Sequence, residues 1–167
     1  MAGMNHQTSD EPGDFERLVR DHSGRIRRIA RRFAPDGAVD DLVQEILTRL
    51  WRSFARFRGE AKVETWIYRI ALNAAMTHVA ERVKTRNLYA AMNAASAAMQ
   101  GAPAGASATD ILSDFLYRLG DVDASILMMY MDGLTAEEMS GVLGITCNAI
   151  NVRINRMKQK FTEAYVE

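Results

Sequence analysis

The sequence predicts an all-α protein: two small helical domains joined by a flexible linker, the C-terminal one a helix-turn-helix. Three observations carry this. Apolar residues recur at three- and four-residue steps in the long segments. No segment sustains the two-residue alternation of a half-buried strand. Around residues 87–109 the composition shifts to an uncharged run, AAMNAASAAMQGAPAGASAT, with almost no large aliphatic side chain to bury. The 167 residues, 48% hydrophobic and 25% charged, suffice for one or two such cores. The expected organisation is a disordered N-terminus at residues 1–13, a first domain at 14–86, a linker at 87–109 and a second domain at 110–167.

The first element follows Phe15, Leu18, Val19, His22, Ile26, Ile29, Ala30 and Phe33, and stops at Pro35, Asp36 and Gly37. The second follows Val39, Leu42, Val43, Ile46, Leu47, Leu50, Trp51 and Phe54. Asp40, Asp41, Gln44, Glu45, Thr48 and Arg49 point elsewhere. A polar stretch at residues 56–62, with Gly59, interrupts. The third follows Val63, Trp66, Ile67, Ile70, Ala71 and Ala74. Three such helices can close one small core.

The Ala-rich start of the linker could extend the third helix; Pro103 and Gly105 oppose helix further on. Fully extended, the linker reaches at most about 75 Å.

Four shorter helices follow. Ile111, Leu112, Phe115, Leu116 and Leu119 mark one, ended by Gly120. Residues 122–131 form the next, ended by Asp132 and Gly133. Thr135 opens a third with Glu138 three residues on, a capping box. Gly144 ends it, and Thr146 can cap a fourth helix running to about Ala164. On that last helix Ile150, Ile154, Met157 and Phe161 face the core. Asn148, Asn151, Val152 and Asn155 are left outward, followed by Arg153, Arg156, Lys158 and Lys160 with no acid among them. Amides pair with adenine edges in a major groove and Arg or Lys grips phosphate. Spacing alone fits a plain helical hairpin with a polar face about as well. The acid-free basic helix after a capped helix and a Gly turn favours DNA binding.

Twenty-one basic and twenty-one acidic side chains cancel, which excludes coating of nucleic acid by bulk charge. The distribution is uneven. Residues 1–90 carry sixteen basic and twelve acidic groups, residues 91–134 one and five, and residues 135–167 four of each. Residues 17–32 hold seven arginines against Asp21 alone. Local basic faces beside acidic ones suit a protein that meets both a phosphate backbone and a positively charged partner, although any single run also reads as a solvated helix face.

One cysteine, Cys147, excludes an internal disulfide and multi-cysteine metal sites. It sits at a helix start without an evident His partner and reads as idle. His6, His22 and His78 are scattered, with no metal-binding pair, phosphate loop or nucleophile elbow. No catalytic residue, metal or cofactor is expected. The polar, acidic start has no apolar core for a secretory leader, and the longest apolar run, residues 126–131, is too short for a bilayer. The expectation is a soluble cytoplasmic protein without membrane insertion.

Three motifs now align in order. Asp40, Asp41, Leu42, Val43, Gln44 and Glu45, followed by Leu47, Arg49, Leu50 and Trp51, resemble the "D-L-V-Q-E" helix of bacterial sigma factors. Phe57-Arg58-Gly59, followed by Thr65-Trp66-Ile67-Tyr68-Arg69-Ile70-Ala71 and Asn73, resembles the next helix of their extracytoplasmic-function (ECF) group. The C-terminal helix-turn-helix, with Gly133-Leu134-Thr135, Glu137, Glu138 and Met139 before it and Asn155-Arg156-Met157-Lys158 after it, resembles that group's domain four. The resemblance spans nearly the whole chain.

The resemblance implies a non-enzymatic subunit that directs core RNA polymerase to promoters. Residues 14–86 would be sigma domain 2. Asp40, Asp41, Gln44 and Glu45 would dock on the beta-prime clamp, although helix N-terminal charge stabilisation accounts for such acids too. Arg58, Glu60, Lys62, Arg69 and Asn73 would meet the minus-ten DNA. Trp66, on the core stripe, reads as packing. Residues 110–167 would be domain 4. Thr146, Asn148, Asn151, Val152, Arg153, Asn155, Arg156 and Lys158 would meet the minus-thirty-five element. Partners would be core polymerase through beta-prime clamp and beta flap, promoter DNA, and an anti-sigma factor or other regulator.

The chain departs from the family's usual pattern at Leu72, Thr77 and Ala80, with Arg82 displaced, so altered minus-ten readout is expected. The competing reading is a stand-alone helix-turn-helix regulator, with residues 14–86 oligomerising or sensing.

Overall fold

Proline at a first helical position gives up an N–H that the helix does not need, and Pro12 opens the first helix, α1 (Pro12–Phe33). A computed structural model describes residues 12–34, 37–90 and 107–165. Among the described residues the regular structure is seven helices and no strand. The expected disordered N-terminus lies outside the description up to residue 11, and residues 12 and 13 are already helical. The chain divides into two compact units, Met1–Ala75 and Met76–Glu167.

In the first unit α1 packs on α2 (Val39–Phe54). Phe15, early in α1, meets Trp51 and Phe54, late in α2, at ring separations of 5.0 and 5.3 Å. Arg27, late in α1, reaches Asp40 at the start of α2. The two helices therefore run antiparallel. Ile26, Ile29, Ala30 and Phe33 of α1 are buried, as are Leu42, Ile46, Leu50 and Phe54 of α2. The buried line on α2 steps by four, so Trp51 falls off its edge. Instead of completing the core stripe, Trp51 is 52% exposed, with Phe15 packed against it edge to face. Helix α3 (Val63–Ala90) closes this core with Ile67, Tyr68, Ala71, Leu72, Ala74 and Ala75, all buried.

Helix α3 runs 28 residues, about 42 Å at 1.5 Å per residue. It continues past residue 86, the expected end of the first domain. The expected linker falls largely on residues 91–106, outside the described residues. Its last part is structured: Ser107 caps α4 (Ala108–Arg118) by accepting from the Asp110 N–H while Asp110 accepts from the Ser107 N–H.

The second unit continues with α5 (Asp121–Met131), α6 (Ala136–Leu143) and α7 (Cys147–Tyr165). Helix α5 is central. Ala124, Ser125, Ile126, Met128 and Met129 are buried on several sides of it, and the Ser125 hydroxyl is satisfied by donating to the Asp121 carbonyl at 2.7 Å. Val122, Tyr130 and Met131 on the same helix stay exposed. Helices α6 and α7 pack together, α7 also packs on α5, and α7 buries Ile150, Ile154 and Met157. Phe161, half-buried, completes the expected stripe and meets Phe115 at 5.2 Å. No helix among the described residues is long and apolar enough to cross a membrane.

Candidate functional site

At the start of α2 the backbone N–H groups lack helical partners and no side chain caps Ala38. Asp40 and Asp41 stand in this first turn, where the helix dipole favours negative charge. Both are exposed, with Gln44 and Glu45 one turn on. At 100° per residue these four share an arc turned away from buried Leu42, Ile46 and Leu50. Glu45 accepts from Arg49 Nε at 2.5 Å, and Asp40 lies 3.6 Å from Arg27. In both pairs each side chain is at least a third exposed, so both are weak. The arc is an accessible acidic surface.

The turn between α2 and α3 is fixed by aromatic packing. Phe57 lies 4.7 Å from Trp66, which also approaches Phe54 at 6.4 Å. Trp66 is half-buried and packs as expected. Gly59 adopts φ +71°, a left-handed conformation that glycine takes without strain, and so turns the exposed Arg58 and Glu60 outward together. Lys62, Arg69 and Asn73 are exposed along one face at and after the start of α3, with Trp66 between them. The Thr65 hydroxyl beneath is buried with no hydrogen-bond partner.

In the second unit Thr135 and Glu138 form the capping box expected of α6: the Glu138 N–H donates to the Thr135 hydroxyl at 3.2 Å, and the Thr135 N–H donates to Glu138 Oε2 at 2.7 Å. Gly144, at φ +70°, ends that helix, and its N–H donates to the Ser140 carbonyl. The Thr146 hydroxyl then accepts from the Ala149 N–H at 3.2 Å and starts α7. Asn148, Asn151, Val152 and Asn155 line one exposed strip of α7, with Arg156 exposed on its flank. Two of the expected cations are engaged elsewhere. Arg153 Nη1 donates to Asp123 of α5 at 2.6 Å, and Lys158 sits 4.9 Å from the centre of the Tyr130 ring. Lys158 also stands at the rim of an apolar groove of about 400 Å³, lined by Phe115, Tyr130, Met131, Ile154, Met157 and Phe161 among others. Cys147 is a free, half-buried thiol.

The fold groups Asp40, Asp41, Gln44 and Glu45 on one exposed arc, Lys62, Arg69 and Asn73 on one exposed face, and Asn148, Asn151, Val152, Asn155 and Arg156 on another, while Arg153 and Lys158 turn to α5. The partners are what the sequence does not reveal. Asp123 and Tyr130, which hold Arg153 and Lys158, lie on another helix, and nothing in local spacing marks them. Tyr68 and Leu72, absent from the expected stripe, are buried; an α3 packed on more than one side places them there. Their flanking small residues, Ala71, Ala74 and Ala75, are the signal that could have found them.

Residues 18–85 match the Sigma-70 region 2 family. Over 158 residues the chain is 26% identical to the ECF RNA polymerase sigma-E factor of Escherichia coli (strain K12), covering 87% of this chain and 83% of that protein. It is 26% identical over 161 residues to the RNA polymerase sigma factor CnrH of Cupriavidus metallidurans, covering 89% and 84%. Among solved structures, the sigma factor RpoE in complex with the anti-sigma factor NepR from Bartonella quintana superposes with a TM-score of 0.73 at 18% identity, over 90% of this chain and 95% of that one. CnrH in complex with the cytosolic domain of CnrY gives 0.64 at 23% identity, over 93% and 90%. At these identities the structural likeness speaks to the fold.

Proposed function

We propose that the chain is a sigma factor of the ECF group, a non-enzymatic subunit that binds core RNA polymerase and directs it to specific promoters; the Sigma-70 region 2 match and the sigma-E and CnrH relatives support this. The observation that carries this is that two chemically different exposed surfaces stand on different units. An exposed acidic arc stands on α2 of the first unit, and an exposed amide strip with Arg156 stands on α7 of the second.

In this reading Asp40, Asp41, Gln44 and Glu45 meet basic groups of the beta-prime clamp. Residues 14–86 act as domain 2, and Arg58, Glu60, Lys62, Arg69 and Asn73 meet the minus-ten region during strand opening. An extruded base needs polar donors beside a pocket, and Arg58, Glu60 and Lys62 supply its rim. Residues 110–167 act as domain 4. Amides of Asn148, Asn151 and Asn155 suit base edges of the minus-thirty-five duplex, Val152 suits a thymine methyl, and Arg156 suits phosphate. Thr146 positions the helix start, and Arg153 and Lys158 reach DNA only by leaving Asp123 and Tyr130. The apolar groove of the second unit suits an apolar segment of the beta flap. The solved relatives bind NepR and CnrY, and a regulator of that class would hold this chain inactive. The protein would work in the cytoplasm, where core polymerase is.

The test is run-off transcription with purified core polymerase on a genomic library, with capture of the chain by core measured alongside. Stoichiometric capture and discrete start sites are expected. A chain that binds operator duplex specifically but is not captured by core would be the stand-alone regulator instead.

A further inference from the structure

The arginines of α1 have no role in either surface. Arg17, Arg20, Gly24, Arg27 and Arg31 are spaced three, four, three and four residues apart, which sets them in one line along the helix. All five are exposed, and the line lies opposite buried Ile26, Ile29, Ala30 and Phe33. Its length is about 21 Å at 1.5 Å per residue.

The line is one-sided in chemistry. No acid, amide or aromatic residue stands on it. Arg17 lies 3.6 Å from Asp14 and Arg27 3.6 Å from Asp40, but Arg17 is 72% exposed and Asp40 87%, so neither pair holds its cation firmly. A solvated helix face gains from acids and bases four residues apart. Arg20 and Arg17 have Glu16 and Asp21 at that spacing beside the line, but Arg27 and Arg31 in its second half are like charges four residues apart, which disfavours the helix. The helix dipole accounts for Arg31 in the last turn but not for Arg17 or Arg20.

We propose that this line is a separate DNA-contact surface that grips the phosphate backbone of duplex DNA without reading its sequence. Guanidinium groups match phosphate oxygens in pairs. Without Asn or Gln the line cannot read base edges. Without aromatics it offers no stacking platform for a single strand. Gly24 stands at its centre with open space where a side chain would be, so a sugar-phosphate backbone can approach the helix closely there. In a chain of zero net charge, such affinity has to come from a local line. This surface is independent of α7 and of polymerase.

The experiment uses the full chain and a 25-base-pair duplex lacking any selected promoter sequence, with affinity followed by fluorescence anisotropy across a range of salt concentrations. Wild type is compared with a protein carrying Arg17→Gln, Arg20→Gln, Arg27→Gln and Arg31→Gln together, and with one carrying Lys at the same four positions. Circular dichroism verifies that each is folded. Four lost phosphate contacts at about 0.9 each should flatten the log–log salt slope by about 3 to 4 in the Gln protein. The Lys protein should keep the wild-type slope. A Gln protein with the wild-type slope, a Lys protein as flat as the Gln one, or tighter Arg-dependent binding to the single strand than to the duplex would overturn the proposal.

Discussion

Asp114 ties the end of α7 to α4. It accepts from the Tyr165 hydroxyl at 2.5 Å and from Arg118 Nε at 2.8 Å. The Tyr165 hydrogen bond, helped by Arg118 against partial burial, holds the Asp114 carboxyl below the ordinary Asp value. The same bond pushes the Tyr165 hydroxyl above its ordinary value. A carboxylate easier to ionise folded than unfolded stabilises the fold above about pH 4, the ordinary Asp value. That contribution fades as the pH falls through the lower folded value. For Tyr165 the contribution is present below about pH 10 and lost as the pH rises through the raised value. Asp114→Asn should therefore be less stable than wild type in urea at pH 7, with the gap narrowing at pH 3. A gap unchanged between the two would contradict this.

Asp123 holds Arg153 in the same way across helices. The side chains are 28% and 43% exposed, so their coupling should be no more than about 1 kcal/mol in a double-mutant cycle of Asp123→Ala with Arg153→Ala. Arg153→Ala should then act on α7 placement more than on DNA contact, whereas Arg156→Ala should weaken upstream promoter binding directly. Equal loss of binding with no change in stability would assign Arg153 to DNA. The polar site residues are legible in the sequence because helical spacing puts them opposite apolar ones. Their partners are not, because Arg153 and Asp123 lie 30 residues apart and Asp114 and Tyr165 51.

At the scale of elements, helix starts and stops are the most readable feature. Thr135 and Glu138 announce α6, and Gly144 announces its end. Thr135→Ala should cost about 1 kcal/mol in urea denaturation, because an orphan N–H loses its acceptor. Gly144→Ala should destabilise as well, since φ +70° strains any residue with a Cβ. A variant as stable as wild type would contradict either role. Element interiors read less well where packing is many-sided. Helix α2 buries one line and is legible except at Trp51: alternating steps of three and one describe a broad apolar stripe, and the buried line within it steps by four. Helix α5 and the first part of α3 are buried on several sides, so periodicity cannot say which residues face inward. The length of α3 stays open in the sequence because its Ala-rich continuation fits helix and linker composition alike.

At the scale of the whole molecule, the all-helical fold and the two sets of outward polar residues follow from the sequence, and the order of the three motifs by itself points to the ECF group. The division of the chain between Ala75 and Met76, inside a continuous helix, does not follow, because a division made by packing leaves no mark in composition. In the proposed function the work divides as well: polymerase attachment would reside on the α2 acids and duplex reading on α7. The affinity of core polymerase for three folded proteins probes this division without intermediaries: wild type, Asp41→Lys, and a protein carrying Asn148→Ala, Asn151→Ala and Asn155→Ala. Asp41→Lys is predicted to bind core about tenfold more weakly, equivalent to about 1.4 kcal/mol, and the α7 protein to bind as wild type does. Wild-type affinity in Asp41→Lys, or an equal loss in both variants, would contradict it.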